Sequence, residues 1–222
     1  SGDVRRAERL LERAFEAHRG ADDPAGAANA AVNLGLVRKA RGQYPQADKA
    51  LSGAATLFGS LDDARGLATA LTSRGAVRRQ QARYGEARAD LERALDLFLA
   101  LDDTGGEAAA TTNLGLVLQD LGRGPQAQSM FIRALEKARR RRDVGLQAAL
   151  QLNLATLAHR SGHLDDAEAR YLAAEQAFTA QGRTHDAAAA ALNRALLRPD
   201  DPEPLRRLLV RARRSGDRSL EA

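Results

Sequence analysis

Small and large apolar residues alternate along this chain at a spacing of four and then three, in five segments each displaced by forty residues. Ala7, Leu11 and Ala14 recur as Ala47, Leu51 and Ala54, as Ala87, Leu91 and Ala94, as Ala127, Phe131 and Ala134, and as Ala167, Tyr171 and Ala174. Four-then-three spacing gathers side chains on one face of an α-helix, whereas a strand would need alternation. A second row, Gly35, Gly75, Gly115, Ala155 and Ala195, marks an earlier helix in each period, where a small residue lets another helix approach closely. The period therefore predicts a helix, a turn and a second helix, repeated in register without an insertion.

Local signals punctuate the pattern at the same period. Asp23, Asp63, Asp103 and Asp143 precede each first helix as N-caps, where a carboxylate accepts unpaired backbone N–H groups and complements the helix dipole. Gly42, Gly122 and Gly162, with Ala82 in the second copy, stop the first helix. The string Asn33-Leu34-Gly35-Leu36-Val37 returns as Asn113-Leu114-Gly115-Leu116-Val117. One array over residues 1–222 is expected. It has a half repeat at 2–20 that holds only a second helix, full repeats at 24–63, 64–103, 104–143 and 144–183, and a divergent stretch at 184–222. There Pro199, Pro202 and Pro204 interrupt the turn, and a last helix carrying Leu205, Leu208, Leu209 and Ala212 closes the apolar end.

Leu-Gly, then a turn Gly, then Ala, a large apolar residue and Ala resembles the tetratricopeptide repeat (TPR), in the forty-residue variety of kinesin light chains, Pins/LGN-type adaptors and many bacterial arrays. HEAT and armadillo repeats run near the same length but lack this order. The resemblance implies an all-α fold, a right-handed α-α superhelix or TPR solenoid of helix-turn-helix repeats, acting as a non-catalytic scaffold whose concave groove binds a protein or an extended peptide. It also leaves open a regulatory or sensor segment of a larger bacterial signalling protein, joined to a protease-like, ATPase or transcription-activator domain. The chain departs from the family where bulky aromatics are usual: Ala31, Leu71, Thr111, Gln151 and Ala191 stand at one such position, and Arg38, Arg78, Leu118 and Ala158 at another. An Ala/Leu core follows.

In similar TPR proteins the position two before the first-helix Gly faces the groove, where Asn meets the backbone of a bound peptide. Here it holds Asn33, Ser73, Asn113, Asn153 and Asn193. An amide both donates and accepts, so it matches a peptide's C=O and N–H whatever the peptide's sequence. At about 10 Å between neighbouring first helices and about 3.3 Å per extended residue, five such rungs reach about a dozen residues. Shared ancestry of tandem copies, with Asn making helix-helix hydrogen bonds, is the competing reading. Six positions after each rung stand Lys39, Arg79, Gln119 and His159, on the flank of that face, and Arg160, seven after Asn153, shares it. The cations favour an acidic guest. The full cation-and-Asn pattern by which chaperone-binding TPRs hold a C-terminal carboxylate is missing, so that partner class is not expected.

Charge changes this picture little. Lys and Arg total 34 against 29 Asp and Glu, a net of +5 with pI near 10.2, yet four of those five charges fall in residues 205–222. Nucleic-acid binding is therefore not the leading reading. Arg139 to Arg142 close a helix, where cations offset the carbonyl end. His159 and His163 with Asp165 and Asp166 have a Gly turn between them, so no metal site is expected, and the remaining acidic pairs fall on predicted solvent faces. No cysteine is present, and no phosphate-binding loop, dinucleotide, zinc-hydrolase or serine-hydrolase string appears, so neither enzyme activity nor a cofactor is expected. No stretch is long and apolar enough for a membrane span. A cytoplasmic location follows as an expectation. Met130 is the sole methionine, so the chain reads as a piece of something longer, and the unpaired half repeat offers apolar surface for self-association.

Overall fold

The computed structural model describes residues 2–197 together with Glu203 and Arg206. The expected closing helix and its prolines lie outside the described residues, apart from those two positions. Among the described residues ten helices follow one another: α1 (Gly2–Gly20), α2 (Pro24–Ala40), α3 (Tyr44–Ser60), α4 (Ala64–Gln80), α5 (Tyr84–Ala100), α6 (Thr104–Asp120), α7 (Gly124–Arg140), α8 (Val144–Arg160), α9 (Leu164–Ala180) and α10 (Thr184–Ala195). The described residues contain no strand. The chain forms two compact units, Ser1–Arg123 with α1 to α6 and Gly124–Ala222 with α7 to α10.

Helices of 17 residues from α2 to α9 alternate with three-residue turns, so the forty-residue period holds two equal halves. Every turn has one geometry. Its middle residue is left-handed, with φ between 50° and 78°, at Asp22, Gly42, Asp62, Ala82, Asp102, Gly122, Arg142, Gly162 and Gly182. The residue after it donates its N–H back five positions, from Gln43 to the Arg38 carbonyl, Asp103 to Phe98 and His163 to Ala158, at 2.9 Å in each case. This is a Schellman closure, which satisfies carbonyls the helix end would leave unpaired. Gly is free of strain there and Asp tolerates it, while Ala82 and Arg142 hold a conformation that costs an L-residue about 1 kcal/mol.

Entry into the first helices is fixed by the aspartates. Asp23 accepts from the Gly26 N–H, Asp63 from Gly66, Asp103 from Gly105 and Gly106, and Asp143 from Leu146. The second helices α3, α5 and α9 start from Gln43, Arg83 and His163 without a side-chain cap.

Packing in the first unit is a series of knobs seated on missing side chains. Leu51 and Leu91 are wholly buried. A Cβ on Gly35 would lie 2.6 Å from Leu51 Cγ, and one on Gly75 2.7 Å from Leu91 Cγ. Full burial of one such leucine stabilises by about 2–3 kcal/mol. Phe58 and Phe98, also buried, lie over Gly66 and Gly106 at the start of the next helix, and a Cβ there would collide with each ring. His18 holds the corresponding place over Gly26 and bonds Asp23 through Nδ1 at 2.8 Å. In the second unit Tyr171 is buried, its hydroxyl 3.2 Å from Thr156 Oγ1, and Phe178 packs with Ala148, Ala174, Ala187 and Ala190. The Ala/Leu core is thus reinforced by aromatic residues at helix ends.

Candidate functional site: the outward stripe of the first helices

Within each unit neighbouring helices pack on one another, and in the first unit α2 also meets α4 and α4 meets α6. No comparably extensive contact joins α1 to α3 or α3 to α5. The first helices are therefore the closer-spaced layer of that unit, and their outward stripe is a continuous surface.

Asn33, exposed on α2, and Ser73, half-buried on α4, open this stripe, and Asn113, half-buried, continues it on α6. The amide of Asn33 has no protein partner among the described residues, while Asn113 donates from Nδ2 to the Ala109 carbonyl one turn earlier, at 3.0 Å. Asn29, a turn before Asn33, does the same to the Ala25 carbonyl at 2.9 Å. In the second unit Asn153 on α8 and Asn193 on α10 are half-buried at the matching positions. None of the five positions is fully buried.

The flank is less simply cationic than its residue types suggest. Lys39, in the last turn of α2, is half-buried, and burial first, then the nearby Arg79 charge, pull its ammonium below the usual lysine range. Arg79, in the last turn of α4, is already engaged: its Nη1 donates to Asp120 at 3.1 Å. Gln119 on α6 carries a buried Oε1 that has no partner among the described residues. On α8, His159 is half-buried and Arg160 exposed. Gly162, with φ 78°, breaks the helix between His159 and His163.

The expectation that acidic residues lie on solvent faces fails for several of them. Asp90 is buried, receiving Arg74 from Nε at 2.8 Å and Nη2 at 2.7 Å and Arg78 from Nη1 at 3.0 Å. Arg78 also reaches Asp48, at 3.0 Å, and Arg83 bonds both Asp48 and Glu86, which holds the Glu86 carboxyl below its usual range. Three helices, α3, α4 and α5, are laced by this network. Glu8 on α1 is likewise buried against Arg38 of α2 and Arg41 of the turn that follows it, and Glu175 of α9 against Arg194 of α10. Arginine has the reach for this because its planar fork can serve two carboxylates at once. The pairs that cross between helices join residues 12 to 35 apart, a pattern that no motif within one helix displays.

The sequence model of the tetratricopeptide repeat matches residues 26–100 and 106–180. The chain belongs to the tetratricopeptide-repeat family. No curated protein matches it by sequence. Among solved structures it is similar to BtubC (BKLC) from P. vanneervenii, with a TM-score of 0.79 and 18% identity over 95% of this chain and 90% of that one. Aspartyl phosphate phosphatase F from Bacillus subtilis superposes at a TM-score of 0.79 with 12% identity, over 93% of this chain. The Rap conjugation gene regulator of plasmid pLS20, in complex with the Phr* peptide, superposes at 0.71 with 14% identity, over 96% of this chain. The TPR chain spans only 55% of the phosphatase and 64% of the regulator. At these identities the likeness is one of fold.

Among the described residues no helix is long and apolar enough to cross a membrane.

Proposed function

We propose that this TPR chain is a non-catalytic scaffold that binds an extended segment of a protein or peptide along the outward stripe of its first helices. The observation that carries this is the recurrence of Asn33, Ser73 and Asn113 at one solvent-facing position on three first helices packed side by side. Asn153 and Asn193 would extend the same role in the second unit. At about 10 Å per helix and about 3.3 Å per extended residue, the three rungs of the first unit address about six guest residues. Lys39 and Arg79, with Arg160 in the second unit, bias the choice toward acidic guests, and Gln119 and His159 complete the flank.

A second reading is favoured by the peptide-bound regulator, which shares the fold and is longer than this chain: the array is a sensing segment whose guest is a signalling peptide or another part of the same protein. A cytoplasmic location fits either reading. Capture from extract of the source cell tests both, with the wild-type chain and an Asn33→Ala/Asn113→Ala/Asn153→Ala variant as baits. A partner held by the wild type and lost by the variant supports groove binding, and its identity separates scaffold from sensor. Equal capture by both baits rejects the ladder.

A further inference from the structure

Two consecutive first helices of the TPR array end in a pair of basic residues, Arg38-Lys39 on α2 and Arg78-Arg79 on α4. The first member of each pair is committed within the protein. Arg38 donates to Glu8 at 3.1 Å and Glu12 at 2.6 Å, and Arg78 to Asp48 and Asp90 at 3.0 Å. The helix dipole and the packed carboxylates therefore already have their cations, and Lys39 and Arg79 are not needed for either. Lys39 has no carboxylate partner among the described residues although it is half-buried. Lys39 and Arg79 stand forty residues apart at equivalent positions in the last turns of α2 and α4, two helices in contact, and the Arg79 charge acts on the Lys39 ammonium as a like charge. Arg79 spends one terminal nitrogen on Asp120, and the rest of its fork has no further partner among the described residues. Asp120 stands seven residues after Asn113, which is two turns along the same face of α6. The cation pair thus opens onto the stripe of rungs.

We propose that Lys39 and Arg79 form a receptor for one Asp or Glu carboxylate of an acidic guest segment, and that Asp120 occupies Arg79 until the guest displaces it. The inference rests on the first-helix stripe being the guest-facing surface. Two half-buried like charges, one of them unpaired, are relieved by an anion placed between them, through charge-assisted hydrogen bonds from a point-like ammonium and a planar fork. Asp120 is a competitor as well as a placeholder. It holds the guanidinium over the stripe but repels an incoming carboxylate.

The chain contains three lysines, Lys39, Lys49 and Lys137, so lysine-selective isotope labelling yields a spectrum of three resolved positions. The full chain is titrated with two capped hexapeptides, one all Glu and one all Gln, at about 0.1 M salt, where exposed charges are largely screened beyond about 10 Å. The Lys39 signal is expected to shift saturably with the Glu peptide and not with the Gln peptide, and the exposed Lys49 to shift far less. Arg79→Gln should weaken the apparent affinity at least fivefold, while Asp120→Asn should strengthen it at least threefold. Opposite effects from two neutralising substitutions cannot both come from misfolding. A silent Lys39, equal shifts at all three lysines, or an Arg79→Gln variant that binds as wild type overturns the receptor, and an unchanged Asp120→Asn variant overturns the displacement. Calorimetric affinities of both peptides for the wild type and for Asn33→Ala/Asn113→Ala, measured beside the titration, separate the two claims. If the double variant weakens both peptides while Lys39 stays silent, the ladder stands and the receptor falls; if Lys39 responds and the rungs have no effect, the reverse holds.

Discussion

Leu91 occupies the space that a side chain at Gly75 would need: a Cβ there would lie 2.7 Å from Leu91 Cγ and 3.1 Å from the Ala87 carbonyl. The glycine is therefore a packing requirement and not a point of flexibility. Gly75→Ala should destabilise the first unit by about 1–3 kcal/mol through overpacking, and Leu91→Ala by about 3 kcal/mol through the cavity it leaves. Because the two residues share one volume, the double variant should be more stable than the sum of the single losses implies. Urea unfolding of the four proteins checks this, and strict additivity would show that the two do not meet.

Ala82 sits at φ 57° where the equivalent turns of other repeats have Gly42, Gly122 and Gly162. Ala82→Gly relieves left-handed strain but loosens the unfolded chain, and the net effect should be a stabilisation of about 0.5 kcal/mol. Gly42→Ala should move the unfolding midpoint the other way. The two variants need only a denaturant curve each.

Asp90 is buried between Arg74 and Arg78, whereas Glu92, two residues on, bonds Arg88 in the open. Removing one side of a buried ion pair strands the other, so Asp90→Ala should cost about 3 kcal/mol. Glu92→Ala should cost under about 0.5 kcal/mol. Thermal unfolding of the pair of variants separates a network that ties α3, α4 and α5 together from surface decoration.

The Asp23 carboxyl is held below its ordinary value, first by the Gly26 N–H and then by His18. A depressed folded pKa means that the carboxylate stabilises the fold at pH above its unfolded value, near 3.9, and that this contribution disappears as the pH falls through the lower folded value. Wild type should therefore exceed Asp23→Ala in stability at pH 7, and the difference should shrink steadily below pH about 4. A difference that stays constant down to pH 2 would show that the cap works without its charge.

Much of this architecture was legible from spacing. The four-then-three rows located the second helices, the aspartates located the starts of the first, and Gly42, Gly122 and Gly162 marked turns that proved to be left-handed. The row stops short of its own continuation, however. Phe58, Phe98 and Phe178 stand four residues beyond Ala54, Ala94 and Ala174, and so lie on the same face, and their partners Gly66 and Gly106 recur at the same period. The buried acids were not legible in the same way. Asp90 and Glu8 look like solvent residues within their own helices, and only tertiary packing brings Arg74, Arg78, Arg38 and Arg41 onto them. For the candidate site, the repeat places the rung and flank residues at recurring helix positions, but the pairing of Arg79 with Asp120 depends on adjacent first helices and could not be read from spacing.

The central claim is that the rungs grip a guest backbone. Calorimetric affinity of the captured partner segment for wild type and for Asn33→Ala/Asn113→Ala tests it most directly, since Ala favours the helix and should leave the fold intact. The account expects at least a tenfold loss, about 1.4 kcal/mol, with unfolding midpoints equal or raised. Unchanged affinity in a folded variant would contradict it.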